Sequence, residues 1–492
     1  MRIGIIGMGV AGISVLRELR SQLDTLKRKE TEIVIFADEH LFGTGLAFQA
    51  DDDSLLINQY TETMTIIPEQ PDDFVNWVKK NKGIQTVYHT HLPRTWFGEY
   101  LNEHLDRWIQ ELNVTVRFEK ISAIEPQDNG SYLLRSNCSR IEVDVVHLTT
   151  GVLAYQDPYK LKGTEKYVYN PYPARRNIQV TGESTVGIIG TGLTALDVML
   201  YIQETYPSAK IMFFSKDGLF SSVRGDERQV SLHYFCEDRL AGLLAKGESF
   251  RLNTVLEWFF NEMEENDIDL NWVWTHLGSG TVEGMNLDLK YAGILGKFQS
   301  IVRQMRKCYP LIWKALSDED KQIFIRDYGK QWQRFKAPIP QNTARQLIER
   351  ISNEEVGLIS GVKGISKQPD HFSVQTETGE CFSVDYVINC TGQDTNLEKS
   401  AELHSELIQN LLNDGLLSPC RFGGAQIDYP SMSTIDRYGN IRRNFKAYGQ
   451  LVSGVHYGNN NVELISDSAV KGVFDSLSTK NRPVDKISRS AQ

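Results

Sequence analysis

The chain has 492 residues with ordinary apolar (41%) and charged (24%) fractions, enough for two or three domains around a large core. Its formal charge of -10 excludes the basic face that nucleic acid or an anionic membrane requires. Cys138, Cys236, Cys308, Cys381, Cys390 and Cys420 form no C-x-x-C, so neither a zinc site nor a redox-active disulfide is expected, and the cysteines are read as buried free thiols in a reducing compartment. No apolar run approaches the ~20 residues of a membrane span. The first strand begins at the second residue, which leaves no room for a signal peptide, and a cytoplasmic location is expected.

Ile3 to Ile6 form a β-branched run that leads into Gly7-Met8-Gly9-Val10-Ala11-Gly12, followed by an amphipathic segment with Ile13, Val15, Leu16 and Leu19. Strand, glycine turn and helix in that order are the context of a dinucleotide fingerprint. Gly7 permits the turn, Gly9 admits a pyrophosphate close to backbone N–H groups, and Gly12 allows the helix to approach the strand. The next strand, Glu32 to Phe36, ends at Ala37-Asp38-Glu39, and Asp38 is the candidate for the adenosine ribose hydroxyls. Gly43-Thr44-Gly45 forms a flexible loop that can admit a ligand close to the backbone. Helices are expected near Pro71–Trp77 and from Pro93 to about Leu112, then a strand over Val114–Phe118. Tyr132–Leu134 with Glu142–Leu148 suggests a small antiparallel sheet that stops at Thr149-Thr150-Gly151.

Pro158, Pro171 and Pro173 mark a domain connection. A second fingerprint follows, Gly190-Thr191-Gly192-Leu193-Thr194-Ala195, between the strand Ser184–Ile189 and a helix with Leu196, Val198 and Ile202. Its partner strand, Ala209–Phe214, ends in Ser215-Lys216 with no acid at the ribose position. A hydroxyl and a cation suit a 2′-phosphate, with Arg224 as a second cation, so this site is assigned to NADP. From about 228 to 350 the strand pattern gives way to helical spacing: Leu252 to Met263, Leu287 to Met305, and a capping box at Ser317 opening a helix through Phe324. The tryptophans of this region are expected to be core. Strand patterns return over Val356–Ile365, Phe372–Gln375 and Val384–Asn389, the last ending in Cys390-Thr391-Gly392. Phe445 to Gln450 precedes a loop spanning His456 to Asn461 and a closing helix.

Two fingerprints in one chain give an α/β fold of two Rossmann-like dinucleotide-binding domains with a helical insertion. FAD is expected in the first and NADPH in the second, because a hydride relay needs nicotinamide C4 to meet flavin N5. The boundaries drawn are 1–175 with 390–478 for the FAD domain, 176–389 for the NADP domain, and a disordered tail over 479–492.

The motifs Gly43–Phe48, Leu55–Asn58, Asp73–Trp77 and Pro93–Leu101 together resemble a family of FAD/NAD(P)-binding proteins related to the N-hydroxylating and Baeyer–Villiger flavin monooxygenases. The resemblance implies that Arg94 and Tyr100 lie on the FAD side, that Asn58 to Thr63 approach the isoalloxazine edge, and that Gly449 and Gln450 approach FAD. Gln450 stands where many flavoproteins place Asp, and Ala37 where Glu is usual. The implied chemistry is reduction of FAD by NADPH, addition of O2 at flavin C4a, and oxygenation of a small bound nucleophile such as an amine by the hydroperoxide. No catalytic side chain and no metal are assigned, and the state of oligomerisation is open. Two alternatives remain at this point: a reductase or dehydrogenase with an acceptor other than O2, and a non-catalytic nucleotide sensor.

Overall fold

The computed structural model describes residues 1–151, 153–399, 401–457 and 461–478, together with the backbone of Asp485–Lys486. The remainder of the tail, with Asn459 and Asn460 of the loop after His456, lies outside the described residues. The chain divides into two compact units: 1–50, 59–154 and 393–492 form the first, and 51–58 with 155–392 the second. The proline-rich segment after Tyr155 therefore belongs to the second unit, earlier than the expected boundary at 175. Its short strand Tyr167–Val168 pairs in that unit's sheet and explains the earlier crossing.

In the first unit, β1 (Arg2–Ile6) leads through the glycine turn into α1 (Val10–Gln22), and β2 (Glu32–Phe36) returns parallel beside β1. Two helices follow, α2 (Asp73–Lys82) and α3 (Arg94–Glu111). On the other side of β1 lies β3 (Val145–Leu148), and the sheet extends from β3 to the parallel strand Asn440–Ala447 and from β2 to Val114–Arg117. β1, β2 and β3 are almost wholly buried, as runs of Ile and Val flanked by helices should be.

The second unit repeats this plan. β4 (Thr185–Ile189), α4 (Leu193–Thr205) and β5 (Lys210–Phe214) stand in the same relation, and β6 (Tyr386–Asn389) pairs with β4 as β3 pairs with β1. The parallel sheet runs Val356–Ile359, β5, β4, β6, Tyr167–Val168. Each unit also carries a three-stranded antiparallel meander: Ile121–Pro126, Tyr132–Ser136 and Arg140–Val143 in the first, and Val362–Lys367, Phe372–Thr376 and Cys381–Val384 in the second. Gly4 and Gly187 occupy equivalent strand positions under these meanders. A Cβ at Gly4 would lie 2.9 Å from Leu134, and one at Gly187 would lie 3.1 Å from Val384.

Four sequence expectations are corrected here. Glu142–Leu148 is two strands, because Asp144 breaks the run: its backbone N–H donates to Arg2 O, and its carboxylate accepts the Arg2 N–H at 2.7 Å. Asp385 does the same to Thr185, again at 2.7 Å, so Val384–Asn389 is also split between meander and parallel sheet. Val356–Ile365 is likewise divided at Gly361. The Leu287–Met305 segment is two helices, Val282–Lys290 and Ala292–Gln304, parted at Tyr291, whose backbone (φ −107°, ψ 30°) leaves the helical region.

The helical region lies between β5 and Val356–Ile359 and contains Leu252–Glu265 as its period predicts. Ser317 caps Asp318–Asp327 by accepting the Asp320 N–H. Trp313 and Trp332 are buried in its core, with Phe259 and Tyr309 packed at the Trp332 ring. Three of the six cysteines, Cys138, Cys236 and Cys381, are exposed rather than buried.

Candidate dinucleotide sites

Both glycine turns are built by the same contacts. The Gly7 N–H donates to Phe36 O at 2.8 Å and the Gly190 N–H to Phe214 O at 2.8 Å. Gly7 and Gly190 have φ of +100° and +106°, a region that strongly favours glycine. A Cβ at Gly7 would lie 2.2 Å from Thr149 O, and one at Gly190 would lie 2.8 Å from Cys390 O. The Thr149 hydroxyl donates to Ile6 O (2.9 Å) and Gly7 O (2.7 Å), and so locks the first turn. Gly12 is equally closed, since a Cβ there would lie 2.3 Å from Gly7 O.

Other positions are open. Gly192, Gly151, Gly392 and Gly449 have no neighbour within 4 Å of where a Cβ would stand. Gly9 caps α1 and Gly192 caps α4, and neither offers a side chain to the first-turn N–H groups. Those donors and the positive end of the helix dipole are the complement of a phosphate. The residues present therefore fit a dinucleotide at each turn. Ala195 is fully buried in the first turn of α4, where its methyl serves the close packing that the third fingerprint position requires.

In the first unit three of the quoted motifs, Gly43–Phe48, Asp73–Trp77 and Pro93–Leu101, converge on one another, while Leu55–Asn58 belongs to the second unit. The Gly43 N–H donates to Met8 O at 2.8 Å, and the Gly9 and Gly45 backbones oppose each other, with a Cβ on either falling 3.2 Å from the other's Cα. The loop after Gly43 rests on α3: a Cβ at Gly98 would lie 2.1 Å from Phe48 O. This explains the spacing from Arg94 to Gly98, because the helix must be bare where the loop crosses it. Arg94 starts α3 and is half-buried. Asp38 is exposed at the end of β2, and its carboxylate accepts the His40 N–H at 3.0 Å, capping a short turn. Thr150 is partly exposed beside Gly151, and Gln450 partly exposed beside Gly449.

The structure corrects the role implied for Tyr100. Its side chain is fully buried among Phe74, Trp77 and Phe97, with no surface left to meet a cofactor. Its hydroxyl donates to Asp73 at 2.8 Å, and His104 Nε2 meets the same oxygen at 2.9 Å. Burial, then the Asp73 charge, push the phenol well above its ordinary range. The Asp73–Trp77 and Pro93–Leu101 motifs are therefore joined by packing between α2 and α3. Tyr100→Phe should lower stability by about 1–3 kcal/mol, the cost of a buried hydrogen bond to a charged group, and leave flavin content unchanged. Thermal unfolding and the visible spectrum read both. Lost flavin at an unchanged Tm would restore Tyr100 to the cofactor.

In the second unit Ser215 and Lys216 stand just beyond β5. The Ser215 hydroxyl accepts the Gly218 N–H at 2.7 Å, fixing the turn, while the Lys216 side chain is exposed. Arg224 is placed otherwise than expected. Its Nη2 donates to Asn58 O at 2.5 Å, and its side chain lines a pocket of the helical region. Asn58 belongs to this unit, so the structure brings it to Arg224. At the second turn the Thr391 hydroxyl donates to Asn389 Oδ1 at 2.7 Å, and Asn389 Nδ2 donates to Gln156 O and Tyr169 O. The sequence marks Thr149 and Asn389 only as strand-end residues, and the structure adds that their side chains fix the two turns.

Residues 4–153 match the family model described as FAD-NAD(P)-binding. Comparison with curated protein sequences gives no match. Among solved structures, the ornithine N-hydroxylase of Kutzneria sp. 744 with reduced FAD, NADP+ and L-ornithine superposes with a TM-score of 0.58 at 13% identity, covering 97% of this chain and 99% of that one. The FAD-bound cadaverine monooxygenase of Erwinia amylovora gives 0.58 at 12% identity, covering 100% and 98%. The bacillithiol disulfide reductase of Staphylococcus aureus gives 0.52 at 11%, covering 98% and 99%. Residues 4–153 thus match an FAD-NAD(P)-binding domain, and the chain has the fold of the Kutzneria enzyme, which holds FAD and NADP+.

Proposed function

We propose that the protein is an FAD-containing, NADPH-dependent oxidoreductase that oxygenates a small amine. The observation that carries the reading is the duplication itself: two uncapped helix N-termini, each behind a closed glycine turn, in one chain. FAD is assigned to the Gly7–Gly12 turn, with Gly45, Arg94, Thr150, Gly151, Gly449 and Gln450 around it and Asp38 toward the ribose. NADPH is assigned to Gly190–Ala195, with Gly392 beside the turn. Bound flavin supplies hydride acceptance and oxygen chemistry. The chain supplies N–H donors for the phosphates and a closed glycine turn behind each of them. Amine oxygenation is favoured by the ornithine and cadaverine enzymes among the similar structures. The likeness to a disulfide reductase supports a second reading, NADPH oxidation with an acceptor other than O2. The lack of any C-x-x-C argues against a disulfide acceptor.

NADPH oxidation in air, followed with labelled O2 and a panel of diamines and basic amino acids, tests this. Label in a hydroxylated amine is the expected result. Rapid flavin reduction with O2 returned only as peroxide, whatever the amine, would favour the second reading, and no reduction by NADPH or NADH would reject both.

Nucleotide choice is assigned to Lys216 and Ser215. Lys216→Ala should weaken NADPH roughly 10- to 100-fold, the worth of one charge-assisted hydrogen bond, while NADH is little affected. Equal losses for both nucleotides in steady-state kinetics would remove the 2′-phosphate from this strand end.

A further inference from the structure

The two glycine turns share their strand-end contacts but differ at the middle residue of G-x-G. In the first unit that residue is Met8, and the loop beyond β2 is tied to it through the backbone, Gly43 N donating to Met8 O at 2.8 Å. In the second unit it is Thr191, and the tie runs through the side chain: the Thr191 hydroxyl donates to Leu219 O at 2.6 Å. Thr191 is only 9% exposed, so this bond is largely shielded from water.

The loop that Thr191 reaches is the one that carries Ser215 and Lys216. Its start is fixed to the sheet, with Ser215 N donating to Ile359 O and Gly361 N to Lys216 O, both at 3.1 Å. Its end is fixed where Phe220 N donates to Gly280 O at 2.9 Å. Between these anchors Gly218, at φ +70°, donates its N–H to the Ser215 hydroxyl at 2.7 Å, and the Leu219 N–H donates to Asp217 Oδ1 at 3.3 Å. Leu219 thus has its carbonyl on the fingerprint turn and its N–H on the acid that follows Lys216. An acid released at this strand end would favour the unphosphorylated ribose, so engaging Asp217 in the loop's own backbone suits a 2′-phosphate.

We propose that Thr191 is a positioning residue for nucleotide choice: by holding Leu219 it sets the spacing between the phosphate turn and the Ser215–Lys216 loop. One ligand carrying both a pyrophosphate and a 2′-phosphate then meets two anion contacts at a fixed distance. Without the tie each contact survives, but the pair is no longer preorganised, and preorganisation is what turns two contacts into affinity for a single ligand. This role rests on the assignment of NADPH to the same turn, and it adds the residue that couples the two ends of that site.

Calorimetric titration of the FAD-loaded full chain with NADP+ and with NAD+ reads the 2′-phosphate apart from the rest of the dinucleotide, and Tm reads the fold. Thr191→Val should weaken NADP+ about tenfold and change NAD+ by less than about twofold. Thr191→Ala should do the same, and it carries the test if the valine variant does not fold. Thr191→Ser keeps the hydroxyl and should keep the preference for NADP+. Equal weakening of both nucleotides with a lowered Tm would make Thr191 merely structural and overturn the proposal. So would an unaltered preference in Thr191→Val and Thr191→Ala, or a preference lost in Thr191→Ser. Failure of the underlying assignment is distinct: it shows as equal affinity for NADP+ and NAD+ in the unaltered chain, or as equal losses in Lys216→Ala, and either result withdraws the role of Thr191 with it.

Discussion

Gly192→Ala should abolish most reduction of the flavin by NADPH while the protein remains folded and yellow. The position is open, with no atom within 4 Å of the added methyl, and its backbone (φ −77°, ψ −179°) is one that alanine adopts freely. Folding therefore loses only the difference between Gly and Ala at a helix N-cap, up to about 1 kcal/mol. Binding loses far more. A methyl at the N-cap of α4 stands where the pyrophosphate must meet first-turn N–H groups, and one or two charge-assisted hydrogen bonds are lengthened or lost. At about 1.5–3 kcal/mol each, the effect is roughly 10²-fold or more in NADPH affinity. Anaerobic mixing with NADPH reads the rate of flavin bleaching, and released FAD together with Tm confirms the intact first unit. Reduction at the unaltered rate and affinity would place the nicotinamide nucleotide elsewhere and remove the second fingerprint from the mechanism.

How much of this was legible in the sequence depends on what each residue had to do locally. The glycine turns, their strands and their helices are written in contiguous residues, because β-branched runs, glycines and helical spacing each report a local conformation. The exchange of a strand between sheets is not local. Val143 and Val145 are both apolar and buried, yet one belongs to the meander and the other to the parallel sheet, with Asp144 as the hinge. Asp144 and Asp385 did carry a signal, an acid inside an apolar run, repeated before each Thr-Gly turn. Tyr100 shows the opposite failure. A motif shared with a cofactor-binding family suggests a cofactor contact, but here its hydroxyl is committed to Asp73 and the motif encodes helix packing. Arg224 likewise follows β5 closely in sequence, and only the tertiary pinning of its loop turns it toward Asn58 and the pocket of the helical region.

Gly7→Ala, one fingerprint earlier, should produce the reverse of the Gly192 result: a protein that fails to hold FAD because its first unit no longer folds well. Gly7 sits at φ +100°, where an L-residue carries strain of about 1–3 kcal/mol. Its added methyl would lie 2.2 Å from Thr149 O and 2.8 Å from Thr149 C, which are backbone atoms following a fully buried strand. No flexible side chain is there to give way, and the hydroxyl of Thr149 ties the same corner to Ile6 and Gly7. Overpacking of this kind adds about 1–3 kcal/mol or more. The sum, roughly 2–6 kcal/mol, is a large part of the 5–15 kcal/mol that ordinarily holds a domain together. The equivalent Gly190→Ala meets Cys390 O at 2.8 Å, so its damage should be smaller and confined to the second unit. Urea unfolding with flavin release as the probe ranks the two variants. A Gly7→Ala protein of unchanged stability and full FAD content would show that β3 does not close on the turn as described, and the physical basis of the first dinucleotide site would fall with it.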